Sequence, residues 1–124
     1  MGSAQPKLAD YKAIEAVVGK YIEGGRKADS SIMKPVFHAN AQMSGHGADG
    51  AFSGPIQALY DYVDANEPAA DLEARITNIT ISDDCAATVV LHAVHWHGKN
   101  YTDHFQLLKI DGEWVMISKI FSHN

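Results

Sequence analysis

The sequence predicts an α+β fold in which three helices come first and cover one face of an antiparallel sheet. Two observations predict it. Apolar residues recur at helical spacing as far as Pro68 and at every second position after it, and the second half is cut by three turn signals, at Asp83-Asp84, Gly98-Lys99 and Asp111-Gly112.

The helices follow from the first half. Leu8, Tyr11, Ile14, Val17, Val18, Tyr21 and Ile22 share one face of a first helix, which Gly24-Gly25 is expected to stop. A second, short helix should start at Asp29 or Ser30 as N-cap and bury Ile32, Met33, Val36 and Phe37, with Pro35 limiting its length. Residues 41–54 hold four glycines among polar residues and read as a loop or an irregular hairpin. Ser53-Gly54-Pro55 is then expected to cap a third helix whose apolar face is Ile56, Leu59, Tyr60 and Val63.

Four strands are expected at 72–81, 85–97, 100–110 and 113–121, rich in β-branched and aromatic residues. Two-residue turns at Gly98-Lys99 and Asp111-Gly112 set a register. Lys109 would face Trp114, Leu107 Met116, Phe105 Ser118 and Asp103 Ile120, while Trp96 would face Tyr101 and His92 Phe105. One sheet face would then carry His92, Trp96, Tyr101, Asp103, Phe105, Leu107 and Met116, and the other His95, His97, His104, Gln106, Ile117, Lys119 and Phe121. The helices can cover only one of these faces. A second copy of the chain is the simplest cover for the other, which predicts a homodimer.

Composition narrows the function. The 124 residues suit one domain, expected over 8–124, with residues 1–7 a frayed end that includes a cloning remnant. Ten basic against fifteen acidic residues, a net charge of -5, argue against nucleic acid. No apolar run approaches the ~20 residues that span a bilayer and no signal peptide is visible, so a cytoplasmic chain without membrane contact is expected. The single cysteine, Cys85, reads as a buried small hydrophobe. His95, His97 and His104 lack an acidic or thiolate fourth ligand, so no metal is expected, and no cofactor motif of the phosphate-loop or nucleophile-elbow kind appears.

Three segments carry a resemblance: Tyr21-Ile22-Glu23-Gly24, Phe37-His38-Ala39-Asn40-Ala41, and the run from Tyr101 through Trp114 completed by Lys119-Ile120-Phe121. With them the chain resembles the nuclear transport factor 2-like superfamily, which includes ketosteroid isomerase and scytalone dehydratase, and within it the lumazine-binding-like group. The resemblance implies a cone: a strongly curved, mostly antiparallel sheet with the three helices on its concave face, a pocket between them, and commonly a dimer through the convex face. In ketosteroid isomerase a tyrosine on the first helix and an aspartic acid on the fifth strand donate hydrogen bonds to an enolate oxygen. By resemblance these are Tyr21, eight residues before Asp29, and Asp103, eight before Asp111. The general-base carboxylate of that enzyme falls at about Gly45, between Ser44 and His46, and is missing.

The expected site follows. Tyr21, Asp103 and His92 should point into one cavity walled by Val18, Phe37, Tyr60, Val63, Trp96, Tyr101, Phe105 and Met116. Desolvation would favour the protonated Asp103, a donor; a structural hydrogen bond explains the residue as well. Tyr21 is either a second donor or plain core, and His92 either an acid–base partner of Asp103 or its structural neighbour. His46 belongs to the glycine-rich stretch, where a histidine is ordinarily exposed. Two functions remain: a binding domain for a small, partly aromatic ligand, or a cofactor-free isomerase, dehydratase or cyclase that stabilises an enolate.

Overall fold

The computed structural model describes residues 7–124; the expected frayed end lies, for residues 1–6, outside them. The α+β expectation holds, with six strands instead of four. In chain order the elements are α1 (Leu8–Lys27), α2 (Ser30–Met33), a 3-10 turn (Lys34–Val36), β1 (Phe37–Gly47), β2 (Gly50–Pro55), α3 (Gln57–Ala65), β3 (Glu73–Ser82), β4 (Ala86–Trp96), β5 (Lys99–Ile110) and β6 (Glu113–His123). The strands form one sheet in the order β2-β1-β6-β5-β4-β3, antiparallel throughout except where β1 runs parallel to β6. The sheet is curled, not closed, and the helices fill its concave side.

Gly24 and Gly25 do not stop α1. A helical glycine costs about 1 kcal/mol relative to alanine, so a pair inside a helix needs a reason. Here it is packing: a Cβ on Gly24 would lie 2.7 Å from Met33 Cε, and one on Gly25 2.6 Å from Trp96 Cζ2. The helix runs on to Ala28, whose left-handed backbone (φ 52°) lets the Asp29 amide reach the Gly24 carbonyl at 3.0 Å. Asp29 caps α2 as expected, its side chain accepting from the Ser31 amide. Asp64 of α3 accepts from the Ser30 amide (2.9 Å) and hydroxyl (2.7 Å), which joins the two short helices.

Phe37 opens β1 and is not part of the second helix. Residues 41–54 form most of a β1–β2 hairpin, the irregular-hairpin reading of that stretch, and Ser53-Gly54-Pro55 ends β2 without capping α3, which starts from Ile56 with no side-chain cap. Cys85 is exposed in the β3–β4 turn, so it is not the buried hydrophobe expected.

Register decides which side chains meet the helices. The β5–β6 hairpin starts as predicted, with Lys109 opposite Trp114 and Leu107 opposite Met116. Asp111 and Gly112 both have positive φ, as a type I′ turn requires. A bulge follows. Ser118 pairs with Gln106, so Ile117 is an extra residue, and Phe105 faces Lys119 while Asp103 faces Phe121. In β4 the turn is His97-Gly98, Trp96 pairs with Lys99, and a second bulge at Val94-His95, with His95 at φ 63°, leads to Ala93 opposite Tyr101 and Leu91 opposite Asp103. A one-residue slip exchanges the faces of a strand. Lys119 and Phe121 therefore turn inward and His92 outward, against the expected assignment.

Candidate functional site

Helical spacing brings Ile14, Val18, Tyr21 and Gly25 of α1 to the sheet, and all four are buried. The Tyr21 ring lies edge-on to Phe105 (5.1 Å between centroids) and Phe37 (6.2 Å), and tilted against Trp96 (5.3 Å). Its hydroxyl cannot remain unpaired among these rings. It donates to Asp103 Oδ2 at 2.9 Å.

Asp103 has 0% of its surface exposed. Its other oxygen, Oδ1, accepts no hydrogen bond; the nearest cation is Lys119 Nζ at 3.7 Å. Lys119 is itself buried, its ammonium 3.8 Å from Met43 Sδ, 4.5 Å from the Phe121 ring centroid and 5.4 Å from that of Tyr21. Burial pushes the Asp103 carboxyl up, against the opposing pull of Lys119 and of the Tyr21 hydrogen bond. Burial likewise pushes the Lys119 amine down, against the pull of Asp103. The Tyr21 phenol is raised by burial and then by Asp103 beside it. The two desolvated groups are each biased toward neutrality.

Above Tyr21 and Lys119 opens a cavity of about 280 Å³. Met43 and Phe52 come from the β1–β2 hairpin, Ala58, Leu59 and Tyr62 from α3, and Trp96, Lys99, Tyr101, Phe121 and His123 from the strand ends. The Phe121 and His123 rings stack 6.2 Å apart at an interplanar angle of 9°. His97 pins α3 to the rim: its Nε2 meets the Glu67 carbonyl at 2.6 Å and so carries the proton, which leaves Nδ1 to accept from the Tyr62 hydroxyl at 2.8 Å.

Of the residues expected at the site, Tyr21, Trp96 and Tyr101 line this cavity. Asp103 lies behind Tyr21 and Lys119 and is not among the lining residues. Val18, Val63, Phe105 and Met116 are packed in the core, and Phe37 and Tyr60 border a separate notch beside Lys34 and Pro55. His92 is a correction: it is exposed on the convex face and meets Thr102 Oγ1 at 3.2 Å, because the β4 bulge shifts its register. His46 is exposed on β1. His97 is taken up by Tyr62 and Glu67, and among the described residues no group of three or more His, Cys, Asp or Glu is placed to hold a metal ion.

Lys119, Phe121, Met43, Tyr62 and His123 were missed. For Lys119 and Phe121 the signal was hidden by the β6 bulge, which alternation alone does not reveal. Gly45 has a physical explanation: a Cβ there would strike the Phe121 ring, as one on Gly47 would strike His123. The wall that would carry a carboxylate in the isomerase pattern is covered by an aromatic ring.

The chain belongs to the family described as "Putative lumazine-binding", whose model matches residues 9–122, and to the nuclear transport factor 2-like superfamily. It is similar to a nuclear transport factor 2-like protein of unknown function from Shewanella baltica OS155, with 37% identity, a TM-score of 0.91 and 98% of each chain covered. A like protein of unknown function from Methylobacillus flagellatus KT shows 31% identity and a TM-score of 0.92 over 99% of each chain. The aldolase FrzH of Cladobotryum sp is 30% identical over 114 residues, 91% of this chain and 90% of that one.

Proposed function

We propose that the chain binds a small, mostly apolar carbonyl compound in the cavity above Tyr21 and Lys119, with the ligand oxygen received at the Lys119 amine. The carrying observation is a buried lysine in the lining of an otherwise largely aromatic and aliphatic cavity. At about 280 Å³ the space lies just below the usual size of ligand pockets, roughly 300–1,000 Å³, and suits one or two fused rings. A carbonyl or enolate oxygen accepts a hydrogen bond from Lys119, while Trp96, Tyr101 and Phe121 supply ring faces and edges. In this reading Asp103 is a positioning residue: it fixes the Tyr21 hydroxyl and takes or returns the Lys119 proton.

The test is the Trp96 indole N–H signal in a titration with lumazine and with 1-tetralone. Either ligand should shift it, and Ala58→Phe, which fills the cavity from α3, should abolish the shift. No shift with either compound would sink the reading.

A second reading is cofactor-free carbonyl chemistry of the aldol type, favoured by the aldolase relative and by the buried Asp103–Lys119 pair. The isomerase, dehydratase or cyclase alternative lacks the general-base carboxylate of its family pattern, and at Gly45 the Phe121 ring leaves no room for a side chain. In the aldol reading Lys119 stabilises an enolate oxygen electrostatically.

We also assign the convex face to a second copy of the chain. Its apolar centre is Ile120, 54% exposed, with Leu108 and Ile110, beside His104 and Gln106. Phe121, expected on that face, lines the cavity instead. A sedimentation mass of two chains that falls to one in Ile120→Lys supports this assignment; a single-chain mass for the unaltered protein at micromolar concentration removes it.

A further inference from the structure

We propose that Lys119 is a nucleophile, capturing an aldehyde or ketone in the cavity as a protonated imine. This rests on the carbonyl-binding reading and adds a covalent step to it. Three observations carry it. Lys119 lines the cavity while its side chain is only 4% exposed, so its amine meets a bound carbonyl without a layer of bulk water. The amine is held by no short ion pair: its one carboxylate neighbour stands 3.7 Å away, and its other neighbours are a thioether and two aromatic rings. Asp103 Oδ1 accepts no hydrogen bond and faces this amine, which gives the departing proton a place to go. Burial disfavours the charge on both partners, which adds free amine to the ground state.

The step balances. The Lys119 ammonium gives one proton to the Asp103 carboxylate and becomes a free amine. Its lone pair forms the N–C bond as the carbonyl π pair moves to oxygen. The resulting oxygen takes one proton from the new nitrogen, giving a neutral carbinolamine. The carboxyl then returns its proton to the nitrogen it faces, that nitrogen passes a proton to the hydroxyl, the C–O bond breaks and water leaves. What remains is a protonated imine on Lys119 paired with the Asp103 carboxylate, so the site's net charge is unchanged. This lysine contrasts with Lys99, which also lines the cavity but is exposed.

The experiment treats the intact protein with benzaldehyde and sodium borohydride near neutral pH and maps benzylated lysines by peptide mass. Lys119 should be labelled several-fold faster than the exposed Lys99, because burial biases its amine toward the uncharged, nucleophilic form. Ala58→Phe, which leaves Lys119 in place but fills the cavity, should suppress labelling of Lys119 and spare that of Lys99. Lys119→Met should lose the adduct at position 119 while Lys99 is still labelled. Labelling of Lys99 and other exposed lysines with Lys119 untouched overturns the imine. If benzaldehyde shifts Trp96 in that case, the binding reading stands without it; if neither signal responds, both fall.

Discussion

Strand β5 carries two inward-facing polar residues six positions apart, and each belongs to a carboxylate–lysine pair of opposite character. Near the end of β5, Lys109 reaches Asp10 of α1 at 3.0 Å and Asp84 at 3.4 Å, and Asp10 also accepts from the Trp114 indole at 3.1 Å. The Asp10 carboxyl is held far below the usual carboxylate range, first by Lys109 and then by Trp114, and the Lys109 amine is raised, first by Asp10. Lys109 keeps 27% of its side chain in water. At the other pair, Asp103 and Lys119, almost no surface is left, the separation is 3.7 Å, and the shifts are reversed. The same two functional groups thus serve as a clasp where water and short hydrogen bonds sustain their charges, and as a pair biased toward neutrality where neither does. Hydration and distance decide between the two, not residue type.

The comparison breaks most sharply at Asp103→Leu. This leaves the buried amine without its counter-charge and the Tyr21 hydroxyl without its acceptor, and should cost about 3–5 kcal/mol in chemical denaturation. The double variant Asp103→Leu/Lys119→Met should recover most of that loss, because an apolar replacement of a whole buried pair is often neutral. A double variant as unstable as the single one would mean the pair is not energetically coupled.

Asp10→Ala should lower the melting temperature by less than Asp103→Leu does, since Lys109 keeps Asp84 and water, though the Trp114 indole loses its acceptor. The reverse ranking in thermal unfolding would contradict the hydration argument.

Acidity sharpens the contrast further. Asp10 has a folded pKa below its unfolded value, so its contribution is fully present above the ordinary carboxylate pKa of about 4 and is lost as pH falls below it. Asp103 has a raised folded pKa, so its contribution is greatest below about 4 and declines as pH rises toward that raised value. Melting temperatures followed down from about pH 5 should therefore fall less steeply in Asp10→Asn than in the unaltered chain, and more steeply in Asp103→Asn.

The smallest effect expected is that of salt. Raising ionic strength to about 1 M, where the screening length is about 3 Å, should weaken the partly wet Lys109 clasp and leave the Lys119 pair unaffected. A double-mutant cycle on each pair at low and high salt measures the difference.

The sequence made the three helices, the last four strands, Tyr21 on the buried face of α1 and Asp103 on an inward face of β5 legible, because these follow from period and from turn chemistry. The β1–β2 hairpin was half-hidden: its glycines read as loop, whereas Gly45 and Gly47 are there to admit Phe121 and His123. Gly24-Gly25 misled for the same reason, being shaped by Met33 and Trp96 from elsewhere in the chain. The pocket was legible in kind but not in membership. Two bulges exchanged His92 for Leu91 and Ser118 for Lys119 on the inner face, and a bulge is a tertiary event with no period of its own.

The extra residue in β6 also bears on how the chain folds. A hairpin zipping from Asp111-Gly112 reaches a fork at Ile117. The straight branch hides Ile120 and turns Phe121 outward, an even exchange, but it leaves Lys119 in water and so avoids desolvating an amine. The native branch does the opposite, burying the lysine and leaving Ile120 54% exposed. An isolated peptide of residues 100–123 should accordingly prefer the straight alignment, and the native one should win only once β1 docks alongside β6 and α1 brings Tyr21 to Asp103. The chain is locally frustrated where its chemistry is most concentrated, and long-range contacts overrule the nearest neighbours there.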